Sequence, residues 1–170
     1  PYIDAGKLVV PSGQMTKDEV ATANWATDAA QARFENILSS NYADGTPLHA
    51  VLASNDSTAL GVTNALAANY TNDVYPVITG QDCDIANVPN IVNGKQAMSV
   101  FKDTRTLATK VVEMVDAIMT GGEAPVNDTE TYDNGTGIIP SYLCEPVAVT
   151  ADNYKEILID SGYYTEDQIQ

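Results

Sequence analysis

This sequence has one histidine and two cysteines in 170 residues. Cys83 and Cys144 form neither a CxxC pair nor a Cys/His cluster, and His49 stands alone, so the spacing implies no metal site. A Cys83–Cys144 disulfide would require a fold that brings the two thiols together. Basic residues are also scarce, 8 Lys and Arg against 23 Asp and Glu, for a net charge of −15. Nucleic-acid phosphates and anionic membrane surfaces are held by clusters of Lys and Arg, so this balance excludes both as partners. No apolar run reaches the roughly 18 residues of a transmembrane helix. The chain lacks a GxGxxG turn, a P-loop lysine motif and a GxSxG elbow. His49 enters a predicted strand at the wrong end for a crevice, and Asp82 and Asp84 have the i, i+2 spacing common in turns. The residues therefore argue against an enzyme and imply no cofactor.

What is present is an alternation of short β-branched runs and amphipathic stretches, in a chain that is 44% apolar. The pattern predicts one α/β domain, or a domain with an extension, large enough for a core. Its centre is Ala50 to Asp82. Val51-Leu52-Ala53 reads as a buried strand ending in Ser54-Asn55-Asp56, and Val77-Ile78-Thr79 as a second ending in Gly80-Gln81-Asp82. Between them, Leu60, Val62, Leu66 and Ala67 recur at helical spacing. In a right-handed β-α-β unit both carboxyl ends lie at one edge of the sheet, where ligands bind. An ionised Asp accepts two hydroxyls and an Asn offers a donor and an acceptor, so Asn55 and Asp82 suit a polyhydroxylated ligand. On the residues alone, a second reading stays open: Asn55 only caps the helix and Asp82 only starts a turn.

Elsewhere the pattern predicts a helix end at Pro1–Gly6 and a strand at Lys7–Val10. A helix follows over about 27–39, capped by Thr27, with Ala30, Phe34, Ile37 and Leu38 apolar. A short helix around Pro89 precedes a strand over 97–101. The most regular helix spans about 104–119, capped by Asp103, with an apolar stripe through Leu107, Val111, Val112, Val115, Ile118 and Met119. Short strands are predicted at 138–140 and 147–149, with a last helix capped by Asp152.

The runs ASNDSTALG, ITGQDCD and MSVFKDTRTLA, in this order, resemble the periplasmic sugar-binding proteins of ABC transporters, in particular the xylose-binding and multiple-sugar (aldose) branch. The ending NYKEILIDSGYYTEDQI is similar to that branch too. The resemblance implies a type I periplasmic-binding-protein fold, a Rossmann-like lobe with a parallel sheet flanked by helices. It implies a monosaccharide such as xylose, glucose or galactose held between two lobes and delivered to a permease. The expected location is the periplasm, or a lipid tether at the outer face of the cytoplasmic membrane. A sugar-responsive sensor domain, in a repressor or linked to a chemoreceptor, is the alternative on the same fold.

The opening PYIDAGKLVV reads as the middle of a protein, so a fragment lacking the N-terminal lobe is expected. By resemblance, residues 1–102 are the second lobe. Residues 103–137 return to the missing first lobe, and 138–170 cross back. Also by resemblance, Trp25 stacks on the sugar face, Asn55 and Asp82 bind hydroxyls, and Lys102 donates to them. Indole stacking on C–H groups agrees with this physically. Core packing for Trp25 and a solvated strand end for Lys102 are the plainer readings. Asp56 and Gln81 are read as neighbours or caps, and Asp103 and Arg105 as hinge or transporter-facing residues.

Overall fold

The computed structural model describes residues 1–169; Gln170, the end of the segment predicted to cross back, lies outside them. The chain packs as two units, Pro1–Val100 with Ala148–Gln170, and Phe101–Val147.

In the first unit the helices are set by their ends. A capping box between Thr16 and Glu19 starts the short α1 (Lys17–Val20). Arg33 of the next helix donates to the carbonyl of Val20 and to Gln14 Oε1, at 2.6 and 2.7 Å, tying this segment down. α2 (Thr27–Asn41) starts after Ala26, which is extended and makes no side-chain cap. Thr27 is therefore the first helical residue and not the cap predicted for it. α3 (Asp56–Asn69) has the expected cap: Asn55 and Thr58 form a reciprocal box. Its run of small residues lets α2 approach closely. A Cβ on Gly61 would lie 2.3 Å from the Thr27 carbonyl oxygen, so only glycine fits this crossing.

β1 (Ala50–Val51) and β2 (Val77–Ile78) pair in parallel, Ala50 with Val77 and Val51 with Ile78. The ladder extends through Thr79 N–H to the Val51 carbonyl at 3.1 Å. β3 (Ser99–Phe101) joins the far side of β2 through a parallel bridge between Gln81 and Val100, and β4 (Val147–Val149) pairs with β3. The core lies between this sheet and the two helices: Phe34 and Leu38 of α2, Ala59, Val62, Ala65 and Leu66 of α3, with Leu48 and Ile78. α4 (Val88–Val92) carries Pro89 in its first turn, where the missing N–H costs nothing. The expected parallel sheet flanked by helices is thus present.

Some predicted elements differ. Pro1–Gly6 forms only turns, ended by Gly6 at φ +67. Lys7–Val10 is not a strand; Leu8 and Val9 are exposed and pair with no ladder among the described residues. Asp152 does not cap the last helix. Thr150 and Asn153 instead close a turn, followed by a π-helical segment Lys155–Asp160.

In the second unit, Asp103 caps α5 (Thr104–Met119) by accepting from Arg105 N–H at 2.9 Å. The Arg105 guanidinium also pairs with this carboxylate at 2.7 Å and holds it below the usual aspartate range. No residue of α5 is buried, and its predicted apolar stripe lies in solvent. Residues 138–140 form no strand. Isolated antiparallel bridges, Asp128 with Ser141 and Asp133 with Ile138, fold the loop instead.

Candidate functional site

The loops that follow β1 and β2 are joined directly. The Asp56 N–H donates to the Gln81 carbonyl at 2.8 Å, one residue from each of Asn55 and Asp82. These two candidates therefore share one edge of the sheet, as the β-α-β reading requires. The Oδ1 of Asn55 accepts from the backbone and hydroxyl of Thr58, at 3.1 and 2.8 Å. Its Nδ2 makes no hydrogen bond among the described residues, and the side chain is only half-buried. Capping thus occupies the acceptor and leaves the donor for a ligand.

Asp82 sits in an unusual backbone. Its φ is +98, that of Cys83 is +51, and both are in the region that glycine favours. The only other non-glycine residues with positive φ among the described ones are Asn24 (+53) and Trp25 (+50). Asn tolerates this conformation; a Trp does so only under constraint. Strain of this kind costs on the order of 1–3 kcal/mol per residue and persists where structure over-determines it. It falls here on two of the candidate ligand residues and their neighbours. Trp25 is 65% exposed, so it is not the core residue of the plainer reading, and its indole face is open to a partner.

Beneath the second loop lies a buried polar cluster centred on Asp56, which is fully buried. Its carboxylate accepts from Asp84 N–H (2.9 Å), Gln96 Nε2 (2.8 Å) and Ser99 Oγ (2.9 Å). Asn87 Nδ2 donates to the Asp56 carbonyl and to Gln96 Oε1. A Cβ on Gly80 would lie 2.1 Å from Asp56 Oδ1, so glycine is required beside it. Burial raises the Asp56 carboxyl above its ordinary value, partly offset by its hydrogen bonds from Gln96, Ser99 and Asp84. Burial also raises Asp84, with Asp82 adding to the shift. The sequence reading treated Asp56 as a neighbour or cap and passed over Ser99, Gln96 and Asn87. A serine inside a buried strand run, AMSVF, was the available signal, because a buried hydroxyl needs a partner.

Cys83 is fully buried, and its thiol is pushed up to about 12, chiefly by that burial. Such a thiol does not serve as a nucleophile. Cys83 and Cys144 are both free, so the disulfide is absent. Lys102 belongs to the second unit, where it lines a cleft of about 170 Å³ with Asp103, Thr106, Leu107, Cys144 and Glu145. In the first unit a cleft of about 220 Å³ runs between α2 and the end of β1, past Gln14, Arg33, Leu52 and Ser54. Trp25, Asn55 and Asp82 do not line it. No His, Cys, Asp and Glu group suited to a metal ion occurs among the described residues. Among the described residues no helix is long and apolar enough to cross a membrane.

A parallel sheet whose strand-end loops carry an amide, a carboxylate and a strained turn is an α/β lobe with its polar groups at the carboxyl edge of the sheet. The chain belongs to the periplasmic binding protein domain family, whose model matches residues 4–123. It is 47% identical to the multiple sugar-binding periplasmic protein SbpA of Azospirillum brasilense, over 100% of this chain and 48% of that protein. It is 34% identical to the D-xylose-binding periplasmic protein of Escherichia coli, over 99% and 48%. Among solved structures, an ABC transporter solute binding protein of Clostridium phytofermentans with bound β-D-glucose is 68% identical. It superposes with a TM-score of 0.95, over 100% of this chain and 52% of that one. The chain thus spans about half the length of the relatives it matches.

Proposed function

We propose that this chain is the C-terminal portion of a two-lobed extracytoplasmic solute-binding protein that captures a monosaccharide and delivers it to an ABC transporter permease, with residues 1–102 and 138–170 in the second lobe and 103–137 returning to the first. The ligand is an aldose of the glucose, galactose or xylose type, and the protein works in the periplasm or tethered by lipid at the outer face of the membrane. Trp25 stacks on the C–H face of the pyranose. Asn55 donates from Nδ2, Asp82 accepts from two hydroxyls, and Lys102 donates to another. The remaining contacts come from a first lobe, on which the α5 stripe packs. The observation that carries the reading is the 68% identity and 0.95 TM-score to a glucose-bound solute-binding protein over the whole of this chain.

The test is calorimetric titration of aldopentoses and aldohexoses into the two-lobed protein containing this chain, with Asp82→Ala beside it. Binding of one or a few monosaccharides, weakened at least about a hundredfold in the variant by loss of a charged acceptor, is the expected result. A folded protein that binds no monosaccharide overturns the reading.

A further inference from the structure

We propose that Asp56, acting with Ser99, is a positioning residue that holds the 81–84 loop in its left-handed form and so aims Asp82 at the ligand. The inference rests on the reading of Asp82 as a ligand residue. Its structural half stands independently.

Three consecutive backbone N–H groups leave this loop, and each is captured by a different group. The Asp82 N–H donates to the Val100 carbonyl at 2.9 Å. The Cys83 N–H donates to Ser99 Oγ at 3.0 Å. The Asp84 N–H donates to Asp56 Oδ2 at 2.9 Å. Ser99 in turn spends its own proton on the Asp56 carboxylate. Asp56 also grips the loop from its other end, because its N–H donates to the Gln81 carbonyl. One residue therefore clamps both sides of the segment containing Asp82 and Cys83. The Tyr164 hydroxyl completes the clamp by donating to the Cys83 carbonyl at 3.0 Å.

Two adjacent non-glycine residues at positive φ do not persist without such constraint. A buried carboxyl group with both oxygens accepting holds a turn of N–H groups more firmly than a single neutral acceptor. Asp56 lies at the first turn of α3, beside the capping residue Asn55, so it couples both strand-end loops. It does not need to touch the ligand to set how tightly the ligand binds.

The experiment compares Asp56→Asn, Ser99→Ala and Ser99→Thr, in two measurements. The first is amide hydrogen exchange at residues 82–84 in the 170-residue chain. The second is monosaccharide affinity of the two-lobed protein, alone and in an Asp82→Ala background. Asp56→Asn keeps the volume but replaces one of the two acceptor oxygens with a donor, so the Asp84 N–H and the Gln96 and Ser99 donors can no longer all be accepted. Ser99→Ala removes the hydroxyl, and Ser99→Thr restores it. The expected result is faster exchange at 82–84 for Asp56→Asn and Ser99→Ala, and near-native exchange for Ser99→Thr. Affinity should fall roughly tenfold to hundredfold in the first two, as for the loss of a hydrogen bond to a buried charge, and recover in Ser99→Thr. In the Asp82→Ala background the same variants should cause no further loss.

Unchanged exchange at 82–84 in folded Asp56→Asn and Ser99→Ala overturns the clamp. An affinity loss that persists undiminished in the Asp82→Ala background overturns action through Asp82. If Asp56→Asn does not fold, the Ser99 pair decides alone. A wild-type protein that binds no sugar refutes the functional reading and leaves the clamp to be judged by exchange.

Discussion

Asn55 caps α3 with one end of its side chain, and the proposed function gives the other end to the sugar. Oδ1 caps α3 while Nδ2 stays uncommitted. Substitutions can separate the roles. Asn55→Ala removes both and should cost about 1 kcal/mol of stability along with affinity. Asn55→Asp keeps a capping acceptor at a helix N-terminus, where negative charge is favourable, but has no donor. Its urea midpoint should stay within about 0.5 kcal/mol of native while monosaccharide affinity falls roughly tenfold or more. Loss of stability in Asn55→Asp with affinity intact would reverse the assignment. Only the cap was legible in the sequence. The SND run announces a cap, and a cap says nothing of what the other amide end does.

At the level of elements, two of the three long helices, α3 and α5, have opposite fates. Leu66 of α3 is buried in the core between sheet and α2, whereas Val112 and Ile118 of α5 are 67% and 62% exposed. In the 170-residue chain, Leu66→Ala should cost about 2–5 kcal/mol in urea denaturation. Val112→Ser with Ile118→Ser should cost little beyond helix propensity, about 1 kcal/mol or less. A large loss from the α5 pair would mean that its stripe is covered in solution.

Periodicity found both helices, because a 3.6-residue repeat is a property of the segment itself. It found β1, β2 and β3 approximately, because turn residues bracket short apolar runs. It failed at Lys7–Val10 and 138–140, where the residues suit a strand but no neighbouring backbone completes one. It also misplaced the caps at Thr27 and Asp152, which depend on where φ and ψ change and not on side-chain chemistry alone. The serine in AMSVF signalled a buried partner but not which one, because the donors to Asp56 come from residues 84, 96 and 99, up to 43 positions away.

For the molecule as a whole, burial of acids inside an already acidic chain sets the response to pH. The Cys83 thiol rises from 9.0 to about 12 and the Tyr164 hydroxyl from 10.0 to about 12, both chiefly through burial. Below pH 9 both groups are protonated in folded and unfolded chains alike, and their contribution is complete. Above it the unfolded thiol ionises while the buried one keeps its proton, so stability declines until the folded value is reached. For Cys83 the decline amounts to about 4 kcal/mol by pH 12, at 1.36 kcal/mol per pH unit. Urea midpoints should be nearly level from pH 7 to 8.5 and fall steeply above 9. Cys83→Ala should flatten most of that limb. An equally steep limb in the variant would remove Cys83 as its source. On the acid side Asp56 and Asp84, both raised, favour the folded state below their ordinary 3.8, and that contribution is lost as pH climbs through their folded values.

The four left-handed side chains at 24, 25, 82 and 83 have a consequence for anyone redesigning this protein. A selection for heat resistance alone would drift towards glycine at the exposed Trp25 and at Asp82, relaxing the backbone one position at a time. Each step would look like an improvement in the melting curve. The product would be a sturdier lobe without its indole or its carboxylate, and on the proposed function it would no longer hold a sugar.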